Sequence, residues 1–460
     1  MPANSSRSLK APAYPSRTCL AIVLAAGNGK RMRSRLPKAM HKIAGRSMLG
    51  HVLNSVAKAG ADKIVVVVGP DQEALEAEAR LIVPDVECVI QAERRGTAHA
   101  VLAAREAIAA GYDDIIVAFA DTPLVQPETF SKMRIALAAG ETAVVCLGFE
   151  AKDPTGYGRL IMKDGVLESI REDRDANPDE RKLSTCNAGL MGISGRHALD
   201  LLGAIGCENS QREYYLTDIV AIARMQKLAS CALIVQQDEV MGVNDRAQLA
   251  LAEALMQARL RTQAMSLGAT LVDPASVTLA YDTTLGEDVT IEPHVVFGPG
   301  VEVKMGALIR SFSHLEGASI GENATVGPFA RLRPGARLMQ DVHIGNFVEV
   351  KASEVGAGAK INHLSYIGDA SVGAKSNVGA GTITCNYDGF AKYRTEIGEG
   401  AFIGSHSSLV APVAIGAGAY VATGSVVTRD VLPDSLVVAR ARQTEKPGWA
   451  AGFRQKKRKS

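Results

Sequence analysis

The stretch Ile320-Gly-Glu-Asn-Ala-Thr-Val-Gly-Pro-Phe-Ala-Arg-Leu332 returns to a large aliphatic side chain at every sixth residue. The beat runs outward in both directions. It passes upstream through Leu285, Ile291, Phe297, Val303, Ile309 and Leu315, and downstream through Leu338, Ile344 and Val350. A later run holds Ile397, Ile403, Leu409, Ile415, Val421 and Val427. Glycine often follows these positions, as at Gly321, Gly327, Gly345, Gly379, Gly398 and Gly404. One apolar residue per six, with no helical period, describes a three-sided prism wound from short strands, each turning one aliphatic side chain into a shared core. Three hexads make a coil of about 18 residues, so about eight coils fit between residues 268 and 440. The beat slips by one residue at 315–320, 350–355 and 367–372, and Thr384–Glu396 has to leave the prism as a loop. Spacing alone leaves the hand of the coil open.

Upstream of residue 268 the texture changes. Leu20–Ala25, Lys63–Val68, Val86–Ile90, Ile115–Phe119 and Ala143–Phe149 read as strands. Between them lie amphipathic stretches such as Ser47–Ala59, closed by Gly60, and Thr97–Ala110, closed by Gly111. This alternation predicts an α/β domain on a mostly parallel, Rossmann-like sheet, whose ligands sit at the carboxyl ends of strands. The expected layout is an extension over 1–18, the α/β domain over 19–246, a linker helix over 247–267, the β-helix over 268–440 and a tail over 441–460. Leu249, Ala252, Leu255, Met256, Leu260 and Met265 fall at helical spacing in the linker, which would be about 30 Å long. The first 18 residues read as a disordered extension. The basic run from Phe453 to Ser460 reads as a solvated tail.

Hydrophobic residues make up 47% of the 460, enough for large cores. A net charge of only +2 gives no general attraction to nucleic acid or acidic membranes. No apolar run approaches the roughly 18 residues of a membrane span, so no stable membrane insertion is expected. Seven scattered cysteines without a CxxC pair suggest neither a disulfide framework nor a zinc site, and fit the reducing cytoplasm.

Two constellations carry chemistry. The first strand enters Leu24-Ala-Ala-Gly-Asn-Gly-Lys-Arg-Met32, followed by Leu36-Pro-Lys-Ala-Met40. Glycines after a strand let backbone N–H groups approach phosphate, and Lys30, Arg31 and Lys38 supply charge. A GxG after a strand is equally an ordinary tight turn, and this one lacks both GK[ST] and a third glycine. The second constellation lies on the prism: Arg331-Leu-Arg-Pro-Gly335, Asn346-Phe-Val-Glu-Val-Lys351, Asn362-His-Leu-Ser-Tyr-Ile-Gly368 and Asn377. Arg333 and Lys351 are one coil apart and should stack on one face, whereas His363 should lie on another. His363 could accept a proton near neutral pH, with Glu349 orienting or stabilising the imidazole.

Leu24–Met32 with Leu36–Met40 resembles sugar-1-phosphate nucleotidyltransferases, as do Gln91-Ala-Glu-Arg-Arg-Gly-Thr97, Ala120-Asp-Thr-Pro-Leu124, Pro154–Arg159 and Gly242-Val-Asn244. The run RLRPG, GNFVEVK, His-x-x-Tyr-x-Gly and Gly379–Gly389 is similar to the acetyltransferase half of one bacterial family, the bifunctional N-acetylglucosamine-1-phosphate uridylyltransferase/glucosamine-1-phosphate acetyltransferases. The likeness covers about residues 19 to 449. It implies a left-handed parallel β-helix and a homotrimer binding acetyl-coenzyme A (acetyl-CoA) between subunits. It implies acetylation of glucosamine-1-phosphate, then transfer of UMP from UTP to N-acetylglucosamine-1-phosphate, giving UDP-N-acetylglucosamine, a cell-wall and lipopolysaccharide precursor.

By the same resemblance, Leu24, Ala25, Ala26, Gly27, Arg31, Lys38, Gln91, Gly96, Thr97, Asp121, Gly158, Glu172, Asn187 and Asn244 line the nucleotide-sugar site. Asp121 and Asn244 would hold Mg²⁺. His363 would be the base, Arg333 and Lys351 would take the sugar phosphate, and Tyr366 and Asn377 would position the amino sugar. Ala380, Asn386, Tyr387, Ser405, Thr423 and Arg440 would line the acetyl-CoA site. Lys30, Arg94, Ala120 and Thr423 depart from the usual residues, a small hydroxyl, Gln, Gly and Ala. Two rival readings remain: a single-activity sugar-1-phosphate nucleotidyltransferase whose β-helix does no chemistry, and a non-enzymatic module that only assembles partners.

Overall fold

The computed structural model describes residues 17–27, 29–140 and 142–458, with nothing said of the side chain of Lys30. Residues 1–16 of the expected extension lie outside the described residues. The chain divides into two compact units, Met1–Met256 and Gln257–Ser460.

In the first unit the seven-strand path runs Ala229–Val235, Thr142–Glu150, Thr185–Ser194, Asp114–Phe119, Cys19–Leu24, Lys63–Val68, Glu87–Ile90. Cys19–Leu24 pairs in parallel with both neighbours, while Thr185–Ser194 runs antiparallel to both of its own. All six residues of Cys19–Leu24 are buried, because helices cover both faces of the sheet. Ala21 and Val23 pack with Leu49, Leu53 and Phe130 on one side. Leu20 and Ile22 pack with Val101, Leu201 and Ile219 on the other. The helix expected over Ser47–Ala59 spans Met48–Lys58, with the Ser47 hydroxyl capping Gly50 N–H. The helix expected over Thr97–Ala110 is instead two, Thr97–Leu102 and Arg105–Ala109, separated by a turn at Ala103 and Ala104. A 21-residue helix, Arg246–Ser266, carries the boundary between the units.

The second unit is a β-helix of three parallel sheets with ten, eight and eight strands. The hexad residues point inward: Ile309, Leu315, Ile320, Val326, Leu332, Ile344, Val350 and Ile361 form one core with at most 1% exposure each. Burying each such side chain contributes about 1.5–3 kcal/mol. The expected slips are real: Leu315 and Ile320, Val350 and Val355, and Ile367 and Val372 are the inward residues of consecutive strands, five residues apart instead of six. The expected loop leaves the prism between Cys385 and Thr395, folding back through a bridge between Tyr387 and Lys392. Beyond it the tail forms a helix, Trp449–Arg458, exposed throughout. Among the described residues no helix is long and apolar enough to cross a membrane.

Candidate functional sites

The first site opens at the carboxyl ends of the parallel strands, a cleft of about 250 Å³. It is lined by Leu24, Ala25, Ala26, Gly27, Lys38, Gln91, Arg94, Gly96, Thr97, Phe119, Asp121 and Glu213, among others. Backbone demands explain several of these. Gly96 has φ +117°, and a Cβ there would lie 2.5 Å from the Tyr214 carbonyl oxygen. Gln91 is buried, its amide nitrogen donating to Gly96 O at 3.3 Å. The Thr97 hydroxyl accepts from Leu216 N–H at 3.0 Å. Arg31 stands exposed on the short turn Lys30–Met32, outside the cleft lining.

Lys38 Nζ contacts the Asp121 carboxylate and lies 3.1 Å from Asn244 Oδ1. Val243 N–H donates to Asp121 O at 2.8 Å, which ties the two segments together. Two hard oxygens thus converge on one cation. Among the described residues no group of three or more His, Cys, Asp or Glu gathers to hold a metal. A pair of protein oxygens, with the rest of the shell left to phosphates and water, suits a small hard divalent ion.

The remaining predicted residues form a neighbouring group outside the cleft lining. Asn187 N–H donates to Gly158 O at 2.7 Å, and Asn187 Oδ1 accepts from Gly189 N–H at 3.1 Å. Glu172 accepts from the Thr217 hydroxyl at 2.9 Å. Burial, joined by the charges of Asp218, Asp175 and Asp173, pushes the Glu172 carboxyl up against that hydrogen bond.

On the β-helix, Arg333 and Lys351 do stack on one face: Leu332 pairs with Val350 and Arg333 N–H donates to Val350 O. Tyr366 joins them, in register with Glu349. His363 lies on the preceding face, in register with Asn346, and Asn377 is on that face too. Glu349 does not orient His363 within the chain. Its carboxylate takes Arg333 Nη1 at 2.9 Å, with Arg331 at 3.8 Å. The imidazole Nδ1 instead meets Asn346 Oδ1 at 2.7 Å. An amide oxygen only accepts, so in the neutral imidazole this contact puts the proton on Nδ1 and leaves the lone pair on Nε2.

Sequence reasoning also missed Asp369. It accepts from Lys351 Nζ at 3.0 Å and from the Asn386 amide. Asn386 in turn reaches the Tyr366 hydroxyl at 3.4 Å, so it sits with the cation group as well as beside Tyr387. The hydrogen bond to Asp369, with contributions from Lys392 and from the Asp369 charge, raises the Lys351 ammonium's pKa. Against the opposing pull of burial, Lys351 and Asn386 hold the Asp369 carboxyl low.

The His363 face and the Lys351 face meet at a corner. Phe312, Phe329 and Phe347 stack along it at ring separations of 5.0 and 5.2 Å, and Leu364 follows, its N–H bonded to Asn346 O. All four are exposed. Above them the corner continues through Gly381, His406 and Gly424, whose N–H groups donate to His363 O, Ala380 O and Ser405 O. Ala380, Ser405 and Thr423 run up this same corner, and Arg440 Cδ comes within 4.0 Å of where a Cβ on Gly424 would stand.

Residues 21–185 match the model of the MobA-like NTP transferase domain, and residues 394–429 that of the bacterial transferase hexapeptide (six repeats). The bifunctional protein GlmU of Azorhizobium caulinodans is 58% identical over 438 residues, covering 95% of this chain and 98% of that protein. GlmU of Bradyrhizobium sp. (strain ORS 278) is 58% identical over 442 residues, covering 96% and 98%. GlmU of Xanthobacter autotrophicus is likewise 58% identical, covering 95% and 98%. Alike from one end to nearly the other, this chain belongs to the family of bifunctional GlmU proteins.

Proposed function

We propose that the two constellations perform one transfer each, in the manner the family's two activities require. The chain is a bifunctional enzyme: it acetylates glucosamine-1-phosphate with acetyl-CoA, and it transfers UMP from UTP to N-acetylglucosamine-1-phosphate, releasing pyrophosphate and UDP-N-acetylglucosamine. The observation that carries this reading is the presence, on one chain, of both the Lys38–Asp121–Asn244 cluster and the His363–Asn346 pair.

In the first site an oxygen of the sugar phosphate attacks the α-phosphorus of UTP. A P–O bond forms to it and the bond to pyrophosphate breaks. The nucleophile is already an anion, so the task is to bring anions together. Asp121 and Asn244 would hold Mg²⁺, which would supply positive charge to offset that of the phosphates. Lys38 and Arg31 neutralise charge growing on pyrophosphate, while Gln91, Gly96 and Thr97 hold the base. Backbone groups of Leu24, Ala25, Ala26 and Gly27 cradle the nucleotide, and Gly158, Glu172 and Asn187 take the sugar.

In the second site the amine of glucosamine-1-phosphate attacks the thioester carbonyl, a C–N bond forms and the C–S bond breaks. His363 Nε2 takes the amine proton. Asn346 keeps that nitrogen free, and Arg333 and Lys351 hold the phosphate. Tyr366 and Asn377 position the amino sugar, and acetyl-CoA lies along the corner past Ala380, Asn386, Tyr387, Ser405, Thr423 and Arg440.

His363 and Lys351 diverge from a convex corner, so they face one acceptor only across two copies. Three prisms meeting at this corner in a homotrimer would bury the Phe312–Phe329–Phe347–Leu364 ridge and bring one copy's His363 toward the next copy's Lys351. The hand of the coil is left in this reading. Seven unpaired cysteines support a cytoplasmic enzyme. The test is to assay both transfers in two variants. His363→Ala should lose acetyl transfer alone and Asp121→Ala uridylyl transfer alone; equal loss of both activities in either variant would defeat the two-site reading.

A further inference from the structure

We infer that Arg94 is a further nucleotide-binding residue, which pins the phosphate loop with one nitrogen and offers the rest of its guanidinium to a phosphate of UTP. The inference rests on the reading of this cleft as the nucleotide site. Arg94 follows the strand Glu87–Ile90 and lines the cleft with Ala26, Gly27, Lys38 and Asp121. Its Nε donates to Ala26 O at 2.7 Å, the carbonyl that precedes the first glycine of the loop. Its Nη2 lies 2.6 Å from where a Cβ on Gly69 would stand, so the guanidinium rests over the end of the neighbouring strand Lys63–Val68. Gly69 leaves the room that this placement needs.

The charge is available. Lys38 also lines the cleft, but its Nζ lies against Asp121 and Asn244, the two oxygens proposed for Mg²⁺, so it reaches a phosphate only once they hold the metal. Arg94 has neither a carboxylate partner nor a hydrogen bond from its terminal nitrogens among the described residues. A planar guanidinium with its edge nitrogen fixed to the loop is pre-aimed, so little freedom is lost when it meets an anion. Such a group adds binding to charged nucleotides and none to the uncharged nucleoside.

The test measures UTP binding by titration calorimetry on the full chain, with uridine as competitor, in the wild type, Arg94→Gln and Arg94→Lys. Arg94→Gln should weaken UTP binding about tenfold and change uridine binding less than about twofold, the scale of one charge-assisted hydrogen bond. Arg94→Lys, which keeps the charge and loses the Ala26 bond, should retain most of the UTP affinity. The Arg94→Gln deficit should shrink as salt rises. Wild-type UTP affinity in Arg94→Gln would overturn the inference. So would equal losses in Gln and Lys variants, which would mean that only the loop pin matters, or a fall in uridine binding in step with UTP. A wild-type protein that acetylates glucosamine-1-phosphate yet binds no UTP would instead overturn the nucleotide reading beneath it.

Discussion

Asn346→Ala isolates the contact that sets the chemistry of His363. In the folded chain the amide oxygen accepts from Nδ1 at 2.7 Å, along the register that stacks Asn346 on His363. Alanine removes the acceptor, so the ring is free to turn and either nitrogen can carry the proton. A neutral hydrogen bond of this kind contributes about 1 kcal/mol net, and about 1.4 kcal/mol is tenfold in rate. The variant should therefore lose roughly 5- to 20-fold in kcat for acetyl transfer. His363→Ala, which removes the base itself, should lose about 10²- to 10⁴-fold. The assay is release of free coenzyme A thiol at saturating acetyl-CoA and glucosamine-1-phosphate, with uridylyl transfer as the control for folding. In the double variant the Asn346 change should add nothing to the His363 loss, because it acts through the ring. Full activity in Asn346→Ala, or a further tenfold loss in the double variant, would refute the positioning role.

Mixing His363→Ala chains with Lys351→Ala chains tests whether a site is shared between copies. Each is inactive alone; random trimers from an equal mixture should recover about a quarter of wild-type acetyl transfer, and no recovery would place both residues in one chain's site. Glu172→Gln tests the raised carboxyl. Below about pH 4.5, the ordinary Glu value, both states hold the proton; as pH rises the unfolded chain releases it first, so the wild type loses stability through the raised folded value. The melting temperature of the glutamine variant relative to wild type should climb from about pH 4.5 towards neutrality, and a difference constant with pH would contradict the burial argument.

The β-helix is legible because its core demands one inward aliphatic residue per strand, and nothing else in the chain repeats at six. Even the slips at 350–355 and 367–372 are written in that spacing. Two polar partners were nevertheless missed, although stacking arithmetic reaches them. Asn346 lies below His363 because the slip at 350–355 shortens that coil, and Asp369 follows Gly368, which pairs with Lys351. Within one chain Glu349 and His363 belong to different sheets, so Glu349 could meet the imidazole only from a neighbouring copy. The break at Ala103 and Ala104 carries no Gly or Pro signal, since alanines favour an unbroken helix. Packing sets it. In the first site, the gathering of Lys38, Asp121 and Asn244 depends on the Val243–Asp121 backbone bond across more than a hundred residues, which no local pattern encodes.

One coupled assay bears most directly on the central claim. The purified chain, given glucosamine-1-phosphate, acetyl-CoA, UTP and Mg²⁺, should release free coenzyme A and pyrophosphate in equal amounts and accumulate UDP-N-acetylglucosamine. Pyrophosphate from the pre-acetylated sugar, with no coenzyme A released from the free amino sugar, would show the β-helix to be a scaffold and contradict the account.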